Sequence, residues 1–339
     1  MRIAHVMAGA ASGGAELFYE RLVAAQHRGG DEVLAVIRRD AGRAARLREA
    51  GCSPVELRFG GALDVLTRPR LRHRLAAFAP AIVMAWMSRA ATMTPAGDYV
   101  LVGRLGGAYD LRRFRRCDHL VANTPGLVDW ILAQGWPAGR VHVLPNFVPD
   151  LAGAAPAALP VPPGSPTVLA MGRLHRNKAL DVLISAMRRL PGVHAVIAGE
   201  GPERQALEAL ARREGVADRV HLLGWREDQA ALLAAATVLA VPSRVEPLGN
   251  VILEGFSAGV PVVAAASDGP RETICAGDTG LLAPIDDPAA LAEALGAVIA
   301  DHDLAARLGR AGRAAFEDRH AEAAVLAQWR VLLPTLEKA

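Results

Sequence analysis

The chain has 339 residues, a formal net charge of +3 at pH 7, 52% apolar residues and 22% charged residues. This composition excludes a disordered, collagen-like or coiled-coil protein, and the length predicts two domains rather than one core. The three cysteines, Cys52, Cys117 and Cys275, lie far apart without a CxxC pair. Their spacing argues against a disulfide framework or a Cys-based zinc site and favours a reducing compartment.

The first 150 residues alternate short apolar strands with helices. Arg2 and a short apolar run precede Gly13-Gly14, so we interpret the N-terminus as a first strand, not a secretory signal, and expect a cytoplasmic protein. The apolar runs indicate buried parallel strands. The predicted strands are Ile3–Met7, Val33–Ile37, Val55–Leu57, Ile82–Trp86, Leu120–Ala122 and Val141–Leu144, and the predicted helices are Ala15–Arg28, Arg43–Ala50 and Pro125–Gln134.

A proline-rich stretch then interrupts the pattern. Leu151–Gly172 has no charged residue but five prolines, which a membrane helix could not accommodate, so we predict a linker. The alternation restarts within it and continues to a helical C-terminal region from Pro288 to about Leu333. The predicted strands are Thr167–Met171, Val193–Ala198, Val220–Leu223, Thr237–Val241 and Val260–Ala264, and the predicted helices are Leu180–Leu190, Glu203–Arg213 and Val251–Ala258.

This repeated pattern predicts an α/β protein of two doubly wound, Rossmann-like domains in tandem. We expect the domains to cover residues 1–150 and 151–319, and a C-terminal helix of about 320–339 to pack back on the first domain. Ligands bind at the carboxyl ends of parallel strands. The site is therefore expected in the cleft between the two domains.

Four groups of residues fall at predicted strand ends. Gly13-Gly14 follows the first strand, and backbone without Cβ atoms can approach an anion at the next helix. A plain tight turn explains these glycines equally well. The run is not GxGxxG, and the spacing to Asp40 does not support a ribose-binding acid, so a nicotinamide-binding domain is the weaker alternative.

The second group lies in Gly172–Lys178, directly after strand Thr167–Met171. Arg173 and Lys178 are placed there to hold a diphosphate, Arg bidentately and Lys as a point charge. A solvated turn is the alternative. A cation at a helix start opposes the helix dipole, and this chain has only two lysines, so Lys178 favours the binding interpretation.

The third group surrounds a helix start. Glu246 precedes the helix, Leu248, Gly249 and Asn250 offer backbone N–H groups, and Glu254 lies one turn inside among apolar residues. Paired carboxylates accept hydrogen bonds from sugar hydroxyls, and a buried charge needs a partner. A solvated acidic face is the alternative. The fourth group, Ser267–Glu272, is equally well explained as a turn and N-cap.

Residues in these groups resemble the motifs of a known family. Arg173 and Lys178, the run Gly199–Pro202, and Glu246 followed after seven intervening residues by Glu254 stand in order at strand ends. Together with Gly13-Gly14 they resemble the retaining glycosyltransferases of family 4. These have the GT-B fold, in which two Rossmann-like domains face each other across a cleft. The resemblance covers the second half and, more loosely, the first.

The resemblance implies that the C-terminal domain holds a nucleotide-sugar donor and the N-terminal domain an acceptor. Arg173 and Lys178 would then bind the diphosphate and stabilise the leaving group. Glu246 would contact the transferred sugar and Glu254 the ribose.

Three backbone groups and one aromatic complete the implied donor site. Leu248, Gly249 and Asn250 would add N–H donors at the helix start. Trp225 lies where the family places the base, although a packed surface aromatic is the favoured interpretation of this residue.

Two departures from the family pattern stand out. Many members have a histidine near the reacting sugar, whereas the matching stretch here, residues 85–89, has none. Ser88, Arg89 or backbone would have to make that contact. Ala179 follows Lys178 where glycine is usual, which adds stiffness at the helix start.

The sequence predicts no metal and no resident cofactor, since the nucleotide-sugar is a substrate. The ten histidines show no metal-ligand spacing, and Asp301-His302-Asp303 lies between helical stretches, where an N-cap is expected. The sequence has no GxSxG motif. No carboxylate is placed to act as a base opposite the sugar, which fits the family's proposed front-face mechanism.

The sequence therefore predicts a retaining GT-B glycosyltransferase, specifically a hexosyltransferase. Without a metal, Arg173, Lys178 and helix N-termini would stabilise the leaving group. Another GT-B enzyme, a phosphorylase or a nucleotide-sugar epimerase, is one alternative. A non-catalytic nucleotide-sugar-binding protein is another.

The charge is unevenly distributed. Residues 1–150 hold 20 arginines against 13 acidic residues, while residues 151–339 hold 18 basic against 22 acidic residues. The basic side chains bunch in the stretches Arg68–Arg74 and Arg112–Arg116, and Leu71, Leu75 and Phe78 would share one helix face. This pattern predicts an amphipathic segment on an anionic inner membrane face, with a lipid-linked or anionic glycan acceptor.

Two other interpretations of that charge stay open. A core-packing helix with a solvated basic face explains the segment equally well, and a soluble polyanionic acceptor explains the charge. No nucleic-acid partner is expected.

Overall fold

The computed structural model describes residues 1–10, 13–60 and 64–338. The chain divides into two compact units, Met1–Asn146 with Glu322–Ala339, and Phe147–Ala321. Each unit is built on one wholly parallel sheet flanked by helices, which confirms the predicted α/β class.

Within the described part of the first unit, seven strands form a sheet in the order β3-β2-β1-β4-β5-β6-β7. The order reverses between β1 and β4, so the carboxyl ends of these two strands flank the position where such sheets bind ligands. The strands are β1 (Arg2–Met7), β2 (Glu32–Arg38), β3 (Val55–Leu57), β4 (Ile82–Trp86), β5 (Val100–Leu105), β6 (His119–Ala122) and β7 (Val141–Val143). The helices are α1 (Gly14–Arg28), α2 (Ala41–Glu49), α3 (Thr67–Phe78), α4 (Met87–Met93) and α5 (Pro125–Ala133).

The second unit repeats this plan with a sheet in the order β10-β9-β8-β11-β12-β13, which reverses between β8 and β11. Its strands are β8 (Thr167–Met171), β9 (His194–Ala198), β10 (Val220–Gly224), β11 (Val238–Val241), β12 (Val262–Ala265) and β13 (Leu281–Ala283). Its helices are α6 (Leu180–Ala186), α7 (Arg204–Arg213), α8 (Gln229–Ala234), α9 (Asn250–Ala258), α10 (Asp268–Thr273), α11 (Pro288–Ala300) and α12 (His302–Arg319).

The last helix, α13 (Glu322–Leu332), belongs to the first unit. Trp329 is buried on it, and Arg28 of α1 donates two hydrogen bonds to Glu322, of 2.8 and 2.9 Å. Buried aromatic area stabilises such docking more than an exposed ion pair does. The C-terminal segment is thus held to the first unit mainly by Trp329.

Several features differ from the sequence expectations, among them a strand, a domain boundary and the predicted linker. The central strand β5 was not predicted, because Gly103 and Arg104 interrupt its apolar run. The second unit begins at Phe147 rather than at Leu151, and Leu151, Leu159 and Val161 pack against its apolar core. The proline-rich stretch is therefore a packed part of that unit, not a free linker.

The Asp301-His302-Asp303 run has a structural role. Asp301 is the N-cap of α12, and its Oδ1 accepts a hydrogen bond from the N–H of Leu304 at 2.9 Å. A side-chain oxygen at this position satisfies one of the free N–H groups of a helix start.

Helix α3 corrects the predicted membrane-facing surface. Leu71 and Leu75 are fully buried in the apolar core of the first unit, and Phe78 packs against it beneath the guanidinium of Arg2, 5.0 Å from the ring centroid. The apolar face of this helix therefore cannot enter a bilayer. Among the described residues, none of the helices combines the length and apolar content needed to cross a membrane.

A buried histidine beneath the first unit's ligand edge gives a pH-dependent stability. His5 on β1 lies 2.7 Å from Gln26 Oε1 through Nε2 and 3.2 Å from Trp86 Nε1 through Nδ1. Indole N–H can only donate, so Nδ1 accepts and Nε2 carries the proton. Burial lowers the pKa of His5 from 6.5 to about 4. The folded protein therefore keeps His5 neutral where an unfolded chain would protonate it.

We expect acid to destabilise the protein through this residue. Below pH 6.5 the unfolded state binds a proton that the folded state excludes, so the free energy of unfolding falls by about 2 kcal/mol between pH 6.5 and 5. The amide of glutamine in His5→Gln can make both hydrogen bonds but does not titrate. The free energy of unfolding of this variant, measured by denaturant unfolding, should therefore fall by about 2 kcal/mol less than that of the wild type between pH 6.5 and 5. Equal pH slopes for the two proteins would contradict the assignment.

Candidate active site

In the second unit, the point where the strand order reverses brings together two residues that lie 68 positions apart in the sequence. Lys178 follows β8, Glu246 follows β11, and these strands are neighbours. The Nζ of Lys178 forms an ion pair with Oε2 of Glu246, and Ser243 Oγ donates to the same oxygen at 3.3 Å. The side chains are 29% and 11% exposed. A cation and a carboxylate are thus held at a ligand-binding edge while both stay accessible.

Arg244 holds the two loops of this site together. Its guanidinium donates to both carboxylate oxygens of Asp181, at 2.9 and 2.7 Å, and to the carbonyl of Arg176 at 2.9 Å. The hydrogen bonds to Asp181 raise the pKa of Arg244. Val245 N–H also donates to Asn177 O at 3.3 Å. Sequence analysis missed Arg244, because no spacing rule pairs it with Asp181, 63 positions away.

Glycines let the neighbouring strand ends approach closely. A Cβ on Gly199 would overlap the carbonyl of Gly172, and both glycines have positive φ. Gly199 N–H donates to Gly224 O at 2.8 Å, and Gly172 N–H donates to Ala198 O at 3.0 Å. L-residues rarely adopt these angles. The ends of β8, β9 and β10 therefore form one continuous backbone edge.

Helix α9 begins beside Glu246. Gly249 is the N-cap with φ 88°, so this helix start has no capping side chain of its own. A Cβ on Gly269 would lie 2.7 Å from the Cα of Leu248, and Gly269 N–H donates to Glu246 O at 2.8 Å. Leu248 is buried, and Asn250 is the first helical residue. N–H groups at such a start suit anionic or polar ligands.

The other three residues predicted to bind the nucleotide-sugar differ in their exposure to solvent. Glu254 is half-buried on the second turn of α9. Arg173 is exposed and makes no hydrogen bond or ion pair with any described residue. Trp225, directly after β10, is 61% exposed. This exposure overturns the packed interpretation of Trp225 and leaves its ring available to a flat ligand.

Ala179 has a left-handed backbone, with φ 50° and ψ 39°, and is fully buried between the Lys178 turn and α6. This conformation explains why glycine suits the position, because L-residues pay a steric cost there. The departure from the family pattern therefore concerns backbone strain next to Lys178.

The carboxyl edge of the first unit holds the other predicted residues. Gly13 precedes α1, and Gly14 begins it. Ser88 and Arg89 lie on the first turn of α4, where Met87 has a positive φ of 61°. Arg89 is exposed and donates to Phe59 O at 3.3 Å, while Ser88 is half-buried.

Two polar residues at this edge escaped sequence analysis. Asn123, after β6, is buried, and its Oδ1 lacks a hydrogen-bond partner in the described structure. Glu16, in the first turn of α1, is buried and accepts a hydrogen bond from Ala10 N–H at 2.8 Å. The sequence could have indicated this role, because Glu16 lies three residues after the N-cap Gly13, and a carboxylate at that position often folds back over the helix start.

No group of three or more His, Cys, Asp or Glu side chains that could hold a metal ion is found among residues 1–10, 13–60 and 64–338. The cations of the second unit's site are arginine and lysine side chains.

Comparison with known proteins places the chain in a family. Residues 154–315 match the family model described as Glycosyl transferases group 1, and residues 12–150 match Glycosyltransferase Family 4. The chain is 36% identical over 324 residues to the lipopolysaccharide core biosynthesis glycosyltransferase LpsE of Rhizobium meliloti (strain 1021), covering 92% of this chain and 93% of LpsE. The chain belongs to glycosyltransferase family 4. The predicted family and the enzyme class are thereby confirmed.

Two further relatives agree. This family 4 glycosyltransferase is 31% identical over 338 residues to LpsD of the same organism, named for the same process, covering 96% of each chain. Its fold matches the crystal structure of Anabaena HepE in complex with UDP, with a TM-score of 0.85 and 22% identity over 99% of this chain and 100% of HepE. The GT-B fold is confirmed.

Proposed function

We propose that this glycosyltransferase moves a hexosyl group from a nucleotide-sugar to a hydroxyl of a lipopolysaccharide-core or other lipid-linked glycan, with retention of anomeric configuration. The observation that carries the proposal is the Lys178–Glu246 pair at the junction of β8 and β11. In this pair a cation that could bind a diphosphate lies next to a carboxylate that could accept hydrogen bonds from sugar hydroxyls.

The second unit would bind the donor. Lys178 and Arg173 take the charge that develops on the leaving diphosphate, since fixed cations stabilise it without reorganisation. Glu246 accepts from hydroxyls of the transferred sugar, and Glu254 from the ribose. The N–H groups of residues 248–250 and the exposed ring of Trp225 complete the contacts, with the ring stacking on the base.

The first unit would bind the acceptor. Gly13 and Gly14 let backbone approach the substrate, and Ser88 and Arg89 supply polar contacts to the reacting sugar. In the reaction the acceptor oxygen bonds to the anomeric carbon as the bond to the diphosphate breaks. A departing phosphate oxygen takes the acceptor's proton, so the step needs neither a carboxylate base nor a metal.

The relatives support the substrate classes. LpsE and LpsD carry the name of lipopolysaccharide core biosynthesis, and HepE was crystallised with UDP. UDP-sugars and core oligosaccharides are therefore the first substrates to test. A phosphorylase or an epimerase would not need both a nucleotide-sugar and a hydroxyl acceptor.

The test is an assay of UDP-, GDP- and ADP-hexoses with and without a lipopolysaccharide-core acceptor. We expect one donor to stabilise the protein by about 2.7 kcal/mol at ~100 times its dissociation constant. NMR of the product should show the donor's anomeric configuration, and excess EDTA should leave the rate unchanged. Inversion, or a loss with EDTA that Mg²⁺ restores, would contradict the mechanism.

We also propose that the first unit associates with an anionic membrane through charge alone. Arg70, Arg72 and Arg74 are exposed on α3 and have no ion-pair partner among the described residues. Each basic residue near an anionic surface contributes about 1 kcal/mol, which salt screens. Arg112, in contrast, is paired with Asp110 at 2.9 Å.

Co-sedimentation with vesicles tests this association. We expect binding to vesicles containing phosphatidylglycerol at low salt, loss of binding at high salt, and loss in the triple variant Arg70→Ser, Arg72→Ser, Arg74→Ser. Arg112→Ser serves as the control and should bind like the wild type. Absence of binding at low salt would favour a soluble acceptor.

A further inference from the structure

Both polar backbone groups of Ala10, shortly after β1, are held by buried charged side chains. The Oε1 of Glu16 accepts the N–H of Ala10 at 2.8 Å, and a guanidinium nitrogen of Arg43 donates to the carbonyl of Ala10 at 2.7 Å. Glu16 is 6% exposed and Arg43 only 1% exposed. Charge-assisted hydrogen bonds in a buried setting are stronger than neutral ones. The backbone of Ala10 is therefore firmly oriented on both sides of its Cα atom.

The guanidinium that makes this contact is itself fixed by two helices. The Nε of the guanidinium donates to Glu20 Oε1 of α1 at 3.0 Å, and the backbone N–H of Arg43 anchors the residue in α2 by donating to the N-cap Asp40 at 2.8 Å. Glu20 also accepts from Arg46 at 2.7 Å. The side chain of Arg43 is thus held by α1 and α2 rather than by the loop.

The carboxylate of Glu16 occupies the space that two loop glycines leave open. A Cβ on either Gly9 or Gly13 would overlap the Glu16 carboxylate. A Cβ on Gly9 would also lie 2.7 Å from Cε of Met87, the residue with left-handed backbone at the start of α4. Gly9 and Gly13 therefore lie against Glu16, and Gly9 also lies against the turn that carries Ser88 and Arg89.

We propose that Glu16 and Arg43 are positioning residues for glycosyl transfer. Together they fix the backbone of Ala10, and Glu16, packed against Gly9 and Gly13, also sets the placement of Gly13, Gly14 and the Met87 turn. The inference rests on the proposed role of this loop and turn in holding the reacting groups. In this proposal both side chains act through the backbone and not by contact with the substrate. Misplacement of a reacting group by 1 Å can cost about 10²-fold in rate. Loss of the clamp, meaning the contacts of Glu16 and Arg43 with Ala10, should therefore lower kcat.

The experiment compares four variants with a matched control. Glu16→Ala removes the acceptor for Ala10 N–H, Glu16→Gln keeps an amide oxygen there, and Arg43→Met removes the donor to Ala10 O; the fourth variant combines Glu16→Ala with Arg43→Met. The control is Asp118→Ala. Asp118 is also a buried carboxylate that accepts a backbone N–H, from Leu101 at 2.7 Å, but it lies at the opposite end of the same sheet.

We expect Glu16→Ala and Arg43→Met each to lower kcat per folded molecule by about 10–100-fold, with the thermal shift produced by UDP unchanged. Glu16→Gln should restore most of the activity. The double variant should lose little more than the worse single variant, because both side chains hold the backbone of the same residue, Ala10. Asp118→Ala should lose stability but not kcat, and hydrogen-exchange protection at Ala10 should be lost in the two variants that carry Glu16→Ala but not in Asp118→Ala.

A kcat for Glu16→Ala equal to that of Asp118→Ala, with wild-type transfer intact, would overturn the inference. Additive losses in the double variant would also overturn it. Absence of transfer by the wild-type protein from every nucleotide-sugar would instead count against the proposed function, and the hydrogen-exchange result would still decide whether Glu16 holds the N–H of Ala10.

Discussion

Replacing Lys178 with Met is expected to slow glycosyl transfer by about 10²–10³-fold, the effect of removing one preorganised charge from a developing anion. Lys178 lies on a short turn fixed by Arg244 and Asp181, and its ammonium group is partly exposed toward the site. It does not pack in the core. The fold should therefore survive, and the loss should appear in kcat more than in the unfolding transition.

The chain offers a matched control for this change. Its other lysine, Lys338, donates to Gly97 O at 2.7 Å in the first unit and has no part in the proposed site. Lys338→Met should retain wild-type kcat and KM. Wild-type turnover by Lys178→Met, with an unchanged unfolding curve, would remove Lys178 from the chemistry.

The position of Glu246 at the same sheet edge as Lys178 was predictable from the sequence, because it depends on local rules. The bounds of β4 and β8 are those that the apolar runs predict, and residues after parallel strands must meet at one edge. Strand neighbours then determine which loops meet. The pairing of β8 with β11 brings Lys178 and Glu246 into contact. The roles given to them remain predictions.

Residues that depend on long-range contacts could not be predicted in this way. β5 has a glycine because a Cβ at Gly103 would lie 2.7 Å from Phe114, and an arginine because Arg104 finds acceptors on distant segments. Likewise, the clamp of Glu16 and Arg43 forms through tertiary packing alone. The sequence predicted the basic face of α3, but it could not decide whether Leu71 and Leu75 pack in the core or face a membrane.

Arg104 on β5 is a buried cation without a carboxylate partner among the hydrogen bonds that hold it. It is 2% exposed, and burial lowers its pKa to about 9. Its guanidinium donates to Ala122 O at 3.0 Å, Leu144 O at 2.8 Å and Asn146 Oδ1 at 2.8 Å. It also lies 5.7 Å from the ring centroid of Trp329 on α13. One side chain thus joins the sheet to the segment after β7 and to the C-terminal helix.

Arg104→Met should lower the free energy of unfolding by about 3–4 kcal/mol, because each buried acceptor left unsatisfied costs roughly 1–3 kcal/mol. Arg104→Lys keeps the charge but cannot reach all three acceptors, so it should lose an intermediate amount. Arg112→Met, at an exposed site, should change stability by less than about 1 kcal/mol. Denaturant unfolding followed by tryptophan fluorescence measures all three. Equal midpoints for Arg104→Met and Arg112→Met would mean that the acceptors find other donors and that Arg104 does not hold the C-terminal helix in place.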